Sequence, residues 1–164
     1  MAIYYLDASA VVKYFHREPG TTWVRQIVDR VANGAIRSNL IYLAEISRVE
    51  VPAAFAILAR TSRISAPTRD ALYRLFLQKT EDEFASLSLT TEIIRRAGRL
   101  TQTHPLKAYD AVQLAVVFDF NEQLKQQGLS VIFVSGDANL LQAARVEGLA
   151  IENPFDHSEL DTAR

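Results

Sequence analysis

Short runs of β-branched and aromatic residues alternate with longer stretches of helical periodicity along this chain. That alternation limits the possible folds more than any other feature. Residues 2–6 (AIYYL) read as a buried strand and 8–16 as a short helix. Pro19 and Gly20 interrupt it, and 21–33 read as a second helix ending near Gly34. A strand is expected over 35–40, with helices over 42–61 and 67–83. A strand over 84–89 (FASLSL) is followed by helices over 90–103 and 108–126. The β-branched run 130–134 (SVIFV), a helix over 138–147 and a last strand over 149–151 complete the pattern. Strands separated by helices pair in parallel through right-handed crossovers. The expectation is an α/β fold: a three-layer α/β/α sandwich with a central, mostly parallel sheet. Residues 1–152 form one domain and 153–164 a short polar tail. In open sheets of this kind ligands sit outside the carboxyl ends of the strands, which gives a place to look for chemistry.

Composition removes several function classes. With 164 residues, 49% apolar, the chain is long enough for one real core. It has no cysteine, so disulfide scaffolds, thiol catalysis and cysteine metal sites are excluded. This agrees with a reducing, cytoplasmic setting. No run approaches the length of a membrane span. The opening MAIYYLDASAVVKYF lacks a basic leader and carries Asp7 within its apolar run, so it reads as a first core strand rather than a signal peptide. The net charge is -1, which argues mildly against a nucleic-acid partner. Arg37, Arg48, Arg60, Arg63, Arg69 and Arg74 nevertheless cluster around one expected helix pair. There is no glycine-rich phosphate loop, and Gly136 is read as easing a tight turn.

Four acids stand where acids are costly. Asp7 follows the first strand directly, and Asp137 follows SVIFV after only Ser135 and Gly136. Both therefore fall at the carboxyl edge of the sheet, and they approach each other if strands one and four are neighbours. Each can also serve simply as a helix N-cap. At about 100° per residue, Leu43, Ile46, Ala53, Ala54 and Ile57 fall within roughly 60° of Glu50, which centres that acid on an apolar stripe. A carboxylate there needs a partner, a cation or an interface. Glu45 falls on the polar side. Asp110 sits in the first turn of DAVQLAVVF, where the helix dipole favours acids, beside Leu114, Val117 and Phe118. Asp119 points the other way and reads as surface.

Carboxylates gathered in one pocket repel one another unless a cation joins them. An all-oxygen donor set without cysteine or nearby histidine suits magnesium or manganese rather than zinc. The chemistry of such a site is metal-assisted phosphodiester hydrolysis.

The segment YYLDASAVVKYFHREPG resembles the opening of PIN domains, the family that includes VapC toxins. RVEVPAAFAILARTSRIS is similar to the family's second block, with Glu50 at its acid; KAYDAVQLA resembles the third, with Asp110; VIFVSGDANLLQAARVEGLAIENP resembles the fourth, with Asp137. The order and spacing fit from residue 3 to about 154. The resemblance implies a PIN-type fold and a magnesium- or manganese-dependent endoribonuclease. It also implies a toxin acting on RNA and neutralised by a small cognate antitoxin, and a homodimer. It makes Asp7, Glu50, Asp110 and Asp137 the acidic quartet, with Asp7 and Asp110 as the direct metal ligands. Ser9 takes the place of a hydroxyl residue that supports the first acid. Asn139 stands where some members carry a further acid, so one metal is better supported than two.

Two other readings share this architecture. A PIN-like module could bind RNA or protein without catalysis. A phosphoacceptor receiver domain needs adjacent acids near the first strand and a lysine after a late strand, and this chain has neither. His16, His104 and His157 lack paired spacing and read as surface or loop residues. Tyr4, Tyr5, Trp23 and Phe133 read as core; Phe15, Tyr42, Tyr73 and Phe76 as core or partner surface.

Overall fold

The computed structural model describes residues 1–32 and 36–162. Five parallel strands form the central sheet: β1 (Ala2–Leu6), β4 (Asn39–Ala44), β5 (Ala85–Leu87), β6 (Ile132–Val134) and β7 (Ala150–Glu152). Their order is β5-β4-β1-β6-β7. The chain therefore builds outward from β1 on one side, then returns to build outward on the other. The neighbourhood of β1 and β6, which pair through Tyr4 with Ile132 and Leu6 with Val134, is a topological switch point.

Both faces of the sheet are covered, which is why its central strands are mostly apolar. In β1 the side chains alternate between the two cores. Ile3 and Tyr5 pack with Phe133 against α5 (Thr91–Thr103), α6 (Ala108–Lys125) and α7 (Ala138–Val146). Tyr4 and Leu6 pack with Val134 against α1 (Ala8–Phe15), α2 (Thr21–Asp29) and α3 (Ser47–Arg60), with α4 (Ala66–Asp82) outside α3. The expected three-layer sandwich is thus present. Side-chain caps mark several helix starts: Asp7 on α1, Ser65 on α4, Thr90 on α5 and Asp137 on α7.

The first half departs from the sequence expectation in three places. Helix α2 ends at Asp29 rather than near Gly34, which lies outside the described residues together with the first residue of the strand expected over 35–40. A two-stranded antiparallel pair follows, β2 (Val31–Ala32) with β3 (Ile36–Arg37). The strand of the main sheet then runs over Asn39–Ala44, and α3 begins only at Ser47. The sequence pattern predicts helix over 42–46, because Leu43 and Ile46 continue a helical spacing. Pairing with β1 on one side and β5 on the other holds Leu43 in a strand instead, an outcome that local periodicity does not contain. Asn39 ties the new strand to its surroundings: its Nδ2 donates to the Ile27 carbonyl at 2.8 Å.

The C-terminal segment folds back on α2 as a 3-10 helix (Pro154–Asp161). The Asp161 carboxylate accepts hydrogen bonds from Gly20 N and Thr22 N, supplying the cap that Gly20 lacks. His157 stacks on Trp23 with ring centroids 4.3 Å apart. Gly20 has φ +89°, and a Cβ there would stand 2.3 Å from the Pro154 carbonyl oxygen. Gly20→Ala is therefore expected to lose about 1–3 kcal/mol from backbone strain alone and to expose the segment after Asn153 to protease. A melting temperature and a digestion pattern like those of the unaltered chain would refute this.

Candidate active site

The four acids singled out in the sequence come from four different elements and line one cleft of about 480 Å³ at the carboxyl edge of the sheet. A larger hollow of about 870 Å³ lies along α2, but it holds a single carboxylate, Asp29, beside Arg25 and Arg30. The smaller cleft, which gathers the acids, is therefore the candidate site.

Asp7 leaves the end of β1, only 5% exposed. Its Oδ1 accepts from Ser9 Oγ at 2.7 Å and Ala10 N at 2.9 Å, while Oδ2 accepts from Ser135 Oγ at 2.6 Å. The capping role allowed for in the sequence is present, and so is the support from Ser9. With about two acceptor positions per oxygen, Oδ2 keeps one for another ligand. Burial pushes the Asp7 pKa up, and the negative charge of Asp110 adds to the rise against those three hydrogen bonds.

Asp137 likewise caps its helix, with Oδ1 accepting from Asn139 N and Leu140 N. The second oxygen is left for the cleft. Asn139 itself has an exposed side chain and does not line the cleft. Gly136 does not take a left-handed φ; a side chain there would press on its neighbours. A Cβ there would lie 3.3 Å from Phe155 Cε2 and from Ser9 Oγ, and 3.4 Å from Lys13 Cε.

Glu50 reaches the cleft for a different reason from the one the sequence suggested. The buried face of α3 is Ser47, Val51, Phe55 and Leu58, and Glu50 lies roughly 95° from its middle. Ile57, counted in the expected stripe, is exposed, and Leu43 and Ile46 precede the helix. Glu50 is thus half-buried at the flank of α3, facing the other acids. Glu45 lies in the turn after β4, where its carboxylate accepts from Ser88 Oγ and Leu89 N outside the cleft.

A buried polar chain fixes Glu50. Tyr5 Oη donates to Gln113 Oε1, and Gln113 Nε2 donates to Ser47 Oγ and, at 2.6 Å, to Glu50 Oε2. Among the described residues Glu50 Oε1 has no partner, and Glu50 forms no ion pair with an arginine. Burial raises the Glu50 pKa to about 7, with the charges of Asp7 and Asp110 adding to the effect. Asp110, in the first turn of α6, is raised by burial and by Asp137, with Lys107 opposing.

Lys13 and Glu18 also line the cleft, paired at 3.1 Å. Five carboxylates therefore face one ammonium: Asp7, Glu18, Glu50, Asp110 and Asp137 against Lys13. The arginines that cluster in the first half do not reach the acids: Arg48, Arg60, Arg63, Arg69 and Arg74 lie on α3, α4 and the turn between them, and none lines the cleft. The Arg37 side chain lies outside the described residues. The histidines are elsewhere too, His104 paired with Glu147 and His157 with Glu152.

The donor set fits a hard divalent cation. Its atoms are oxygens, and one acceptor position on Asp7 together with a carboxylate oxygen each on Glu50 and Asp137 is left without a protein donor. Among the described residues no three of these side chains stand close enough to clasp an ion by themselves. Magnesium-type ions use one or two carboxylates and keep several waters.

The sequence reading missed Lys13, Glu18, Gln113 and Phe155. A signal existed for two of them: Lys13 interrupts the apolar run of α1, and Gln113 that of α6.

The PIN domain family model matches residues 4–146. No curated protein matches significantly. Among solved structures, FitAcB from Neisseria gonorrhoeae superposes with a TM-score of 0.61 at 18% identity, covering 93% of this chain and 98% of that one. VapBC2 from Rickettsia felis, solved bound to a DNA fragment from its promoter, gives a TM-score of 0.59 at 13% identity, covering 92% and 98%. At these identities the likeness is one of fold.

Proposed function

The chain belongs to the PIN domain family, whose members are generally nucleases, and from that membership we propose that it is a magnesium- or manganese-dependent endoribonuclease. The observation that carries this reading is the charge of the cleft: five carboxylates against one lysine repel a phosphodiester unless a cation is held among them.

Asp7 and Asp110 would hold the cation, with Asp137 and Glu50 beside them. A bound cation supplies Lewis acidity, making water more acidic and offsetting charge at the phosphodiester. The chain's own residues do the rest. Ser9, Ala10 and Ser135 lock the Asp7 carboxylate in one orientation. Gln113 holds Glu50 Oε2, so that Oε1 faces the cleft free to take a proton from water or return one to the leaving oxygen. A pKa near neutrality suits both directions of transfer, and a cation nearby would lower it. Asp137 orients the loop and contributes negative charge.

The resemblance to VapC toxins and the fold shared with VapBC2 support a role as the toxin of a toxin–antitoxin pair, with a small antitoxin as partner and a homodimer as the assembled form. The deciding experiment is incubation with a 5′-labelled single-stranded RNA in magnesium, manganese or EDTA. Internal cuts that appear with metal and vanish with chelator are expected. No cleavage with either metal would favour a module that only binds.

A further inference from the structure

We propose that Phe155 is a nucleobase platform of this cleft, on which one base of a single-stranded RNA stacks beside the reacting phosphodiester. The proposal rests on the nuclease reading for the identity of the strand. Phe155 comes from the C-terminal 3-10 helix, more than a hundred residues from Asp7, yet both line one cleft. Its ring edge lies against the loop that carries Asp137, where Gly136 leaves the room for it.

Three features mark the ring as a contact surface. First, it is 45% exposed although it borders a well-packed site. An aromatic serving only as packing would gain by turning inward. Second, Lys13 Nζ lies over the ring, 3.9 Å from its centroid, and Lys13 is only 2% exposed. One face of the ring is therefore shielded by a cation, which Glu18 holds in place, so the ring's exposed area lies away from that face. Third, the backbone segment that bears the ring is held before any ligand arrives. Phe155 N donates to Asn153 Oδ1 at 3.0 Å, Pro154 is buried next to it, and Asp161 anchors the far end of the segment on α2. Little conformational freedom is lost when a base stacks on it. Proteins that bind single strands stack bases on aromatic rings in this way.

The test compares the unaltered chain with Phe155→Leu and Phe155→Tyr on a single-stranded RNA in manganese. A series of the same RNA carries one abasic nucleotide moved stepwise past the cut. Phe155→Leu should raise KM on the order of ten-fold with a much smaller change in kcat, and Phe155→Tyr should restore it. At one abasic position the unaltered chain should lose the same factor, and the two proteins should become equal. Equal KM for the unaltered chain and Phe155→Leu would overturn the platform. So would a fall in kcat that no abasic position equalises, since Phe155 would then act only as a prop for Lys13. If the unaltered chain cuts no RNA, the nuclease reading fails by itself. Titration of a fluorescein-labelled single strand then decides the platform: roughly ten-fold weaker binding by Phe155→Leu supports it and equal binding overturns it.

Discussion

Asp7→Asn and Asp110→Asn are each expected to reduce cleavage of RNA in magnesium on the order of a thousand-fold, because each would remove a charged ligand from the proposed cation, which would supply several kcal/mol of transition-state stabilisation. The fold should survive both changes. At Asp7 the amide oxygen can keep the bonds from Ser9 Oγ and Ala10 N. The amide nitrogen would face Ser135 Oγ, which already accepts from Asp137 N and can accept again. The serine proton must find a new acceptor, at about 1–3 kcal/mol. Against this, a buried carboxylate whose pKa is raised by burial no longer has to ionise. The two effects oppose each other, so the melting temperature should change little. At Asp110 the repulsion from Asp137 is relieved with no buried donor left behind, and the metal-free protein should become more stable. Full activity of both folded variants would sink the assignment of these acids.

The second large effect is stabilisation by metal. Magnesium or manganese at 100 times Kd should add about 2.7 kcal/mol, which is roughly 5–10 °C in Tm for a domain of this size. The shift should depend on pH in a set direction. Glu50 is raised from 4.5 to about 7 in the folded chain, and Asp7 and Asp110 are raised as well. Between the unfolded and folded values the folded state binds more protons, so stability in the absence of metal falls as pH rises through that window. The metal-free protein should therefore melt lower at pH 8 than at pH 6, and Glu50→Gln should flatten much of that slope. Added metal should stabilise most at pH 8, where the carboxylates are ionised, and least near pH 5, where protons compete for the same oxygens. Calorimetry over this range with magnesium, manganese and EDTA checks each point. A Tm indifferent to both metals at every pH would remove the cation from the site.

The acids differed in how legible they were. Asp7 and Asp137 could be placed because a strand end is a local event: an apolar run stops and an acid follows it. That β1 and β6 are neighbours turned two such ends into one edge. Asp110 could be placed because the pattern of α6 was read correctly. For Glu50 the helical spacing points to the wrong face, since Leu43 and Ile46 belong to the strand and turn before α3. The residue stood out because a carboxylate among apolar neighbours signals a site, whichever helix face finally holds it.

The sequence by itself determined the layer architecture, the parallel sheet and the strand ends at which acids collect, because periodicity and strand–helix alternation are local properties carried by adjacent residues. Only the tertiary structure decided where β4 begins, which face of α3 is buried, and which side chains join the acids. Lys13, Gln113 and Phe155 reach the cleft from a helix flank, a buried core helix and a segment that reads as a polar tail. No short-range pattern links those positions. What brings them together is strand pairing and the docking of the C-terminal turn on α2, interactions between residues far apart in the chain.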